Sequence, residues 1–289
     1  MYAGVEFGGT KVVCLVGSGP DEVAATRRIP TTTPGETLDA VAGFLADHTG
    51  VDGVGIASFG PVELRPDHPA FGTITTTPKP HWSGADVLGA VRSIFDGPVG
   101  FETDVNGAAL GEWRWGAGRG VRSLVYLTVG TGLGGGALVD GAPVHGLVHP
   151  EMGHIPVPRH PDDTYPGRCP FHGDCWEGMA AGPAIEQRWG RPGRDLGELT
   201  EEAVALEAHY LAAGIRSIVY VLAPERVIVG GGVSELPGLF PVLRSRLADQ
   251  LSGYPGLAEH DSNGFVVPAA LGGMAGPLGS LVVAERAAG

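Results

Sequence analysis

Lysine is almost missing from this chain. Of 19 cationic side chains in 289 residues only Lys11 and Lys79 are lysines, and the arginines that make up the rest are scattered. At a net charge of −13 there is no basic stripe to neutralise a nucleic-acid backbone, so DNA and RNA are excluded as expected partners. Neither lysine is followed by Ser or Thr, which removes a Walker A loop, and no H-R-D or D-F-G run of a protein kinase occurs. Cysteine is scarce too: Cys14, Cys169 and Cys175 are an odd number and too few for a disulfide scaffold, which points to metal binding or free thiols. No apolar run reaches the length of a membrane span, and residues 1–20 carry no basic segment ahead of a cleavable apolar stretch. The expectation is a cytoplasmic protein without a membrane partner.

Glycine and proline, by contrast, are plentiful, at 49 and 24 residues, close to the share that marks low complexity. Against that reading, 43% of the chain is hydrophobic, only 18% is charged, and Val, Leu and Ile recur in short bursts throughout. Folding a chain of 29.7 kDa hides about 30,000 Å² of surface, enough for two packed domains.

The order of the bursts gives an outline. Residues 2–7, 11–17 and 23–29 read as an antiparallel β-meander broken at Gly8-Gly9 and at the turn 18–21. A helical pattern covers 35–48, a strand 53–58, a helix 85–95, a strand 99–102 and a helix 105–115, followed by a glycine-rich joint at 117–120. The second half opens in the same way, with a strand over 123–129, a glycine-rich turn at 130–136 and a return strand 137–139, which suggests an internal duplication. Residues 145–175 read as loop. Helical periodicity returns over 200–220, a strand covers 226–229, and helices near 238–251 and 273–286 close the chain. This pattern predicts two α/β lobes with a cleft between them: 1–117, with the C-terminal helix of about 273–289 packing back on it, and 118–272.

Three glycine turns stand out: Gly8-Gly9-Thr10-Lys11, Gly130-Thr131-Gly132-Leu133-Gly134-Gly135 and Gly230-Gly231-Gly232. Without a Cβ in the way, backbone N–H groups can approach phosphate oxygens, and a neighbouring Thr adds a hydroxyl donor; the alternative is three tight hairpin turns. Positions 130–135 match G-x-G-x-x-G, but a strand and not a helix follows, which disfavours a dinucleotide fold. The expectation is a nucleotide site of two hairpin turns and one further glycine turn. Cys169-Pro-Phe-His172-Gly-Asp-Cys175 is a C-x₂-H-x₂-C array suited to tetrahedral Zn²⁺, with His154, His149 and His160 as rival fourth ligands. Four protein ligands leave no open position, so such an ion is structural. Asp104 ends an apolar strand and opens a helix, either as a catalytic base at a cleft edge or as a helix cap.

These residues carry a resemblance. Gly4-Val5-Glu6-Phe7-Gly8-Gly9-Thr10-Lys11, Thr103-Asp104-Val105-Asn106, the run 128–136 and the segment from Glu151 to Glu177 resemble the ROK family of sugar kinases and repressors, most nearly its bacterial fructokinase branch. The likeness spans essentially the whole chain. It implies the actin-like, ribonuclease H-like architecture, each lobe opening with a meander, and ATP with Mg²⁺ as phosphoryl donor to a hexose. It makes Asp104 the base and His154, in Glu151-Met152-Gly153-His154, the fourth zinc ligand beside Cys169, His172 and Cys175. It places Glu151, His154 and Glu177 on the sugar, with Asn106, Gly60 and Pro61 as further candidates, and sets Glu6, where most of the family has Asp, near Mg²⁺ and phosphate together with Gly8, Gly9, Thr10, Lys11, Thr131, Gly132, Gly134 and Gly230 to Gly232. His172 departs from relatives that carry a third Cys there. The segment 77–82 could set Lys79 and Trp82 beside the sugar, or be only a loop. The implied activity is phosphorylation of the 6-hydroxyl of D-fructose by a homodimer, with glucokinase or mannokinase as rivals. The repressors of the family carry an N-terminal helix-turn-helix, whereas here the first strand begins at Tyr2 and the chain is acidic.

Overall fold

The computed structural model describes all residues, Met1–Gly289. The elements are β1 (Tyr2–Phe7), β2 (Lys11–Gly19), β3 (Glu22–Pro30), α1 (Pro34–Ala46), β4 (Val54–Ser58), α2 (Val87–Arg92), β5 (Val99–Thr103) and α3 (Asp104–Trp115), then β6 (Leu124–Val129), β7 (Leu133–Val139), β8 (Ala142–Pro143), α4 (Trp176–Ala180), α5 (Gly182–Trp189), α6 (Thr200–Leu222), β9 (Arg226–Gly230), α7 (Leu239–Leu251), β10 (Val266–Pro268) and α8 (Ala275–Ala288). They form two five-stranded sheets, ordered β3-β2-β1-β4-β5 and β10-β9-β6-β7-β8. Read from the other edge, the second order repeats the first. In both sheets the fourth and fifth strands of the repeat run parallel, as β1 with β4 and β4 with β5, and β6 with β9 and β9 with β10. This is the duplicated α/β architecture that the two matching glycine-broken openings predict.

Two compact units divide the chain: Met1–Gly120 with Gly136–Pro150 and Ala270–Gly289, and Val121–Gly135 with Glu151–Ala269. In the first unit β4 is buried along its whole length, as a strand flanked on both edges must be, whereas the edge strand β3 is largely exposed. Phe7, Phe44, Ile56, Leu88 and Trp82 fill one face of this sheet. On the other face α8 lies unusually close. A Cβ on Gly55 would stand 1.9 Å from the Ser280 carbonyl oxygen, and one on Gly100 would stand 2.6 Å from that of Val283. The contact of α8 with α3 is equally tight, since a Cβ on Gly279 would meet the Gly107 carbonyl oxygen at 1.6 Å. Bare backbone at these positions lets helix and sheet approach within side-chain distance.

In the second unit the 23-residue α6 buries Val204, Ala208, Leu211, Ile215 and Ile218 on one side, the spacing of an amphipathic helix. Residues 145–175 hold no strand or α-helix, only the short helical turn Met152–His154, further turns and the isolated bridges Pro156–Cys175 and Cys169–Gly173, as their composition predicts. Helices α4 and α5, in the small-residue stretch after Cys175, and the three-residue β10 have no periodic signature in the sequence. No helix is long and apolar enough to cross a membrane.

Candidate active site

The first unit brings three charged groups together at the carboxyl end of β1 and the start of α3. Glu6 points toward α8, where a Cβ on Gly276 would stand 1.9 Å from its Oε1, so a side chain there would displace the carboxylate. Burial, and then the like charge of Asp104, push Glu6 up to about 7, with Lys11 pulling the other way. Asp104 is the first residue of α3 and Thr103 caps that helix, its Oγ1 accepting the Asn106 N–H at 3.1 Å. The capping role considered for Asp104 is thus taken by its neighbour. Oδ1 of Asp104 accepts the Val105 N–H at 2.9 Å. Asn106 is only 1% exposed: its amide nitrogen donates to Glu102 Oε1 at 2.9 Å, and its oxygen accepts the Ala137 N–H at 3.2 Å.

The turn Gly8–Lys11 closes with the Gly8 N–H on the Lys11 carbonyl, and Gly9 and Thr10 are exposed at its tip. A Cβ on Gly9 would meet nothing within 4 Å, so this backbone has open space in front of it. Of the segment 58–61, Ser58 and Phe59 are buried and only Gly60 and Pro61 reach the surface. The suggestion that Trp82 and Lys79 flank a sugar is corrected by the packing. Trp82 is fully buried against Phe7 and Phe59 with its Nε1 on the Thr32 carbonyl, and Lys79 Nζ donates to the Thr31 carbonyl at 2.9 Å.

The second unit holds the other candidates. Glu177 stands at the start of α4, anchored by the fully buried Trp176, and its Oε2 accepts the Leu133 N–H at 3.0 Å. The carboxylate therefore fixes the glycine turn that contains Thr131, Gly132 and Gly134. Burial and the like charge of Glu177 raise the Glu151 carboxyl. In the turn after β9, Gly230 is buried and Gly231 has φ +84°, where a Cβ would also stand 2.4 Å from the Val129 carbonyl oxygen. Gly130 and Gly232 face open space.

His154, Cys169, His172 and Cys175 place one donor atom each within 4.8 Å of all the others. Sγ of Cys169 lies 3.7 Å from Nδ1 of both His154 and His172, and Sγ of Cys175 lies 3.6 Å from Nδ1 of His154. Zinc–sulfur and zinc–nitrogen bonds at a tetrahedral angle give S···N edges of about 3.5 Å, so the donor set fits that ion. Burial pushes the Cys175 thiol up to about 11, a cost that a bound cation reverses. The rival histidines are engaged elsewhere. His149 accepts the Val62 N–H, and His160 packs edge-on against His209.

The ROK family profile matches residues 2–287. The chain belongs to the ROK family. This chain is 42% identical to a fructokinase of Zymomonas mobilis over 99% of its own length and 97% of that protein's, and 39% identical to a fructokinase of Pediococcus pentosaceus over 99% and 98%. Its fold matches that of a ROK family glucokinase from Streptomyces griseus, solved in complex with glucose and AMPPNP, with a TM-score of 0.75, 27% identity and 99% of each chain covered. Besides the residues anticipated from sequence, the structure of this ROK chain draws in Glu102 and His145, and gives His149 a hydrogen bond from the Val62 N–H in place of the zinc-ligand role considered for it. None lies in a recognisable motif, and the only trace in the sequence is a density of histidine between 145 and 160.

Proposed function

We propose that this ROK chain is an ATP-dependent kinase that transfers the γ-phosphoryl group to the 6-hydroxyl of D-fructose. The observation that carries the reading is the grouping of Asp104, Glu6 and Lys11, in which one carboxyl is raised by burial and by its neighbour beside an exposed glycine turn. Phosphoryl transfer to an alcohol asks the protein for a base, donors around the phosphates and compensation of charge, and for no covalent intermediate. Asp104 takes the proton of the sugar hydroxyl as its oxygen bonds to phosphorus and the bond to the departing ADP breaks. Glu6 is the residue that would hold Mg²⁺, which when bound with the nucleotide would neutralise charge on the phosphates. The backbone at Gly8–Lys11, Thr131–Gly134 and Gly230–Gly232 meets the nucleotide.

Glu151, His154 and Glu177 bind the sugar hydroxyls, and Gly60 and Pro61 line the same substrate. Asn106, buried and bonded to Glu102, holds the turn that presents Asp104. His154, Cys169, His172 and Cys175 would hold a structural Zn²⁺, which would clip together the segments that bear Glu151, His154 and Glu177. Fructose is favoured over glucose because the fructokinases that match this chain stand at 36–42% identity, while matching glucokinases stand at 27–29%. We further assign a cytoplasmic location and a homodimer, the second of which light scattering of the purified protein tests.

A coupled ADP-release assay over fructose, glucose, mannose and N-acetylated hexoses tests the activity. Fructose is expected to give the highest kcat/KM. A preference for glucose or mannose by tenfold or more would overturn the substrate assignment, and no ADP release with any sugar would overturn the reaction.

A further inference from the structure

After β8 the chain runs without regular structure from His145 to Pro150 and then into Glu151. Two imidazoles fasten this segment. Nε2 of His145 lies 2.7 Å from Oε2 of Glu102, a carboxylate that is 4% exposed at the end of β5. The other oxygen of Glu102 accepts the Thr103 N–H and the Asn106 amide, so this end of the segment is tied to the turn that carries Asp104. Four residues on, His149 is 6% exposed, and its Nε2 accepts the Val62 N–H at 3.1 Å. The His149 ring also bonds the backbone of Pro150. Proline has no N–H, so the ring must be the donor in that bond, and because Nε2 is accepting, the proton sits on Nδ1. Between the two histidines Leu147 and Val148 are 77% and 67% exposed, so apolar burial does not hold the segment. The turn it grips is closely applied, since a Cβ on Gly60 would stand 3.4 Å from Nε2 of His149.

We propose that His149 is a positioning residue for the sugar: as a neutral imidazole it clamps the Gly60-Pro61-Val62 turn to the Pro150 carbonyl and so sets the approach of the chain to Glu151. The inference rests on the hexose kinase reading given above. Only a neutral ring can accept at Nε2 while donating at Nδ1; a protonated ring turns a second N–H toward the Val62 N–H and opens the clamp. Burial holds His149 below the usual histidine range. Of the charged groups that face it, Glu102 favours protonation and His145 opposes it. His145, in direct contact with Glu102, is raised instead, so the two histidines of the segment are shifted in opposite directions.

The test compares His149→Leu and His149→Gln with the parent protein, in kcat and KM for fructose and for ATP from about pH 5.5 to 8. Leu removes both hydrogen bonds, and the KM for fructose is expected to rise about 10-fold or more, the worth of a buried hydrogen bond, with kcat and the KM for ATP changed less than about threefold. Gln accepts and donates at every pH. Its KM at neutral pH stays near the parent value, and the rise in KM that the parent shows on acidification is lost. A KM for fructose within twofold of the parent in His149→Leu, or an acid rise that persists in His149→Gln, would overturn the proposal. Nitrogen-15 NMR of the parent protein reads the clamp without a variant or turnover: the Nδ1–H tautomer at neutral pH is expected, and an Nε2–H or charged ring overturns it. Absence of turnover with every sugar would bring down the kinase reading alone, while the tautomer still decides the clamp.

Discussion

Glu6 is pushed up to about 7 because it is buried and because the like charge of Asp104 faces it. Of the two acids at this point in the first unit, Glu6 thus holds a proton well into the neutral range, and Lys11 opposes the effect without cancelling it. A cation delivered beside Glu6 reverses the balance, so binding of the Mg²⁺ nucleotide is expected to displace that proton.

Asp104→Asn keeps the shape of the side chain and its acceptor on the Val105 N–H, but cannot take a proton. We expect kcat to fall about 10²–10⁴-fold, with melting temperature and metal content unchanged. A variant that keeps more than a tenth of the parent kcat would remove Asp104 from the role of base.

Glu6 also makes a stability prediction. Its folded value of about 7 lies above the ordinary 4.5, so its contribution is full below pH 4.5 and is lost as pH rises through about 7. The size is at most about 3 kcal/mol, from 1.36 kcal/mol per unit. Urea denaturation of the nucleotide-free protein at pH 5 and pH 8 should show a larger loss for the parent than for Glu6→Gln. Equal losses in the two proteins would show that Glu6 is not a buried acid.

Metal analysis should find one zinc per chain, and less than about half would argue against the tetrahedral site. Cys175→Ser removes one thiolate from the set His154, Cys169, His172 and Cys175. It should lose the ion and lower the melting temperature, because binding free energy at such a site is also folding free energy. Fructose affinity should suffer more than ATP affinity, since Glu177 follows Cys175 by two residues.

Much of this was legible because the signals are local. The meander, the two glycine-broken openings and the C-x₂-H-x₂-C spacing are each written within a few residues, and the helix starting at Asp104 follows its Thr103 cap. What escaped depends on partners far away in the chain. Gly55, Gly100 and Gly279 belong to no motif in the sequence, yet each clears a path for backbone carried by another element. Trp82 and Lys79 looked like a binding aromatic and cation, but the aromatic packs in the core with Phe7 and Phe59 and the cation caps the Thr31 carbonyl. The roles of His145 and His149 rest on contacts 43 and 87 residues apart, and no spacing rule reaches that far.

Glu112 shows how such a distant contact can be weighed. It is fully buried in α3, and its carboxylate accepts the N–H groups of Ala117 at 2.6 Å, Ala270 at 3.2 Å and Leu271 at 2.8 Å. It thereby joins the glycine-rich joint after α3 to the segment that leads into α8. Glu112→Leu takes away an acceptor shared by three backbone amides that lie in partly buried surroundings and should cost about 1–3 kcal/mol. A loss below about 1 kcal/mol in chemical denaturation would mean that these amides find other partners.

Two further buried acids, Asp163 and Glu207, lie near one guanidinium and are shifted in opposite directions. Asp163 pairs with Arg188 at 3.1 Å and accepts the Tyr210 hydroxyl at 2.6 Å. Burial alone would raise it, but these partners and the Tyr165 N–H hold it below the ordinary range. Glu207, close enough to feel the same guanidinium, has no protein partner for either oxygen, and burial raises it well above 4.5. With Asp163 already neutralising Arg188, a charged Glu207 would be an uncompensated buried anion, so it is carried as the neutral acid. Its contribution to stability is present at low pH and declines as pH rises through its raised value. Glu207→Gln should therefore match the parent at pH 5 and exceed it as pH increases, whereas Arg188→Met, which strands Asp163, should cost about 3–5 kcal/mol. Denaturation curves of both variants decide the matter: if the difference in stability between Glu207→Gln and the parent stays constant from pH 5 upward, Glu207 is charged in the folded protein and Arg188 serves two anions.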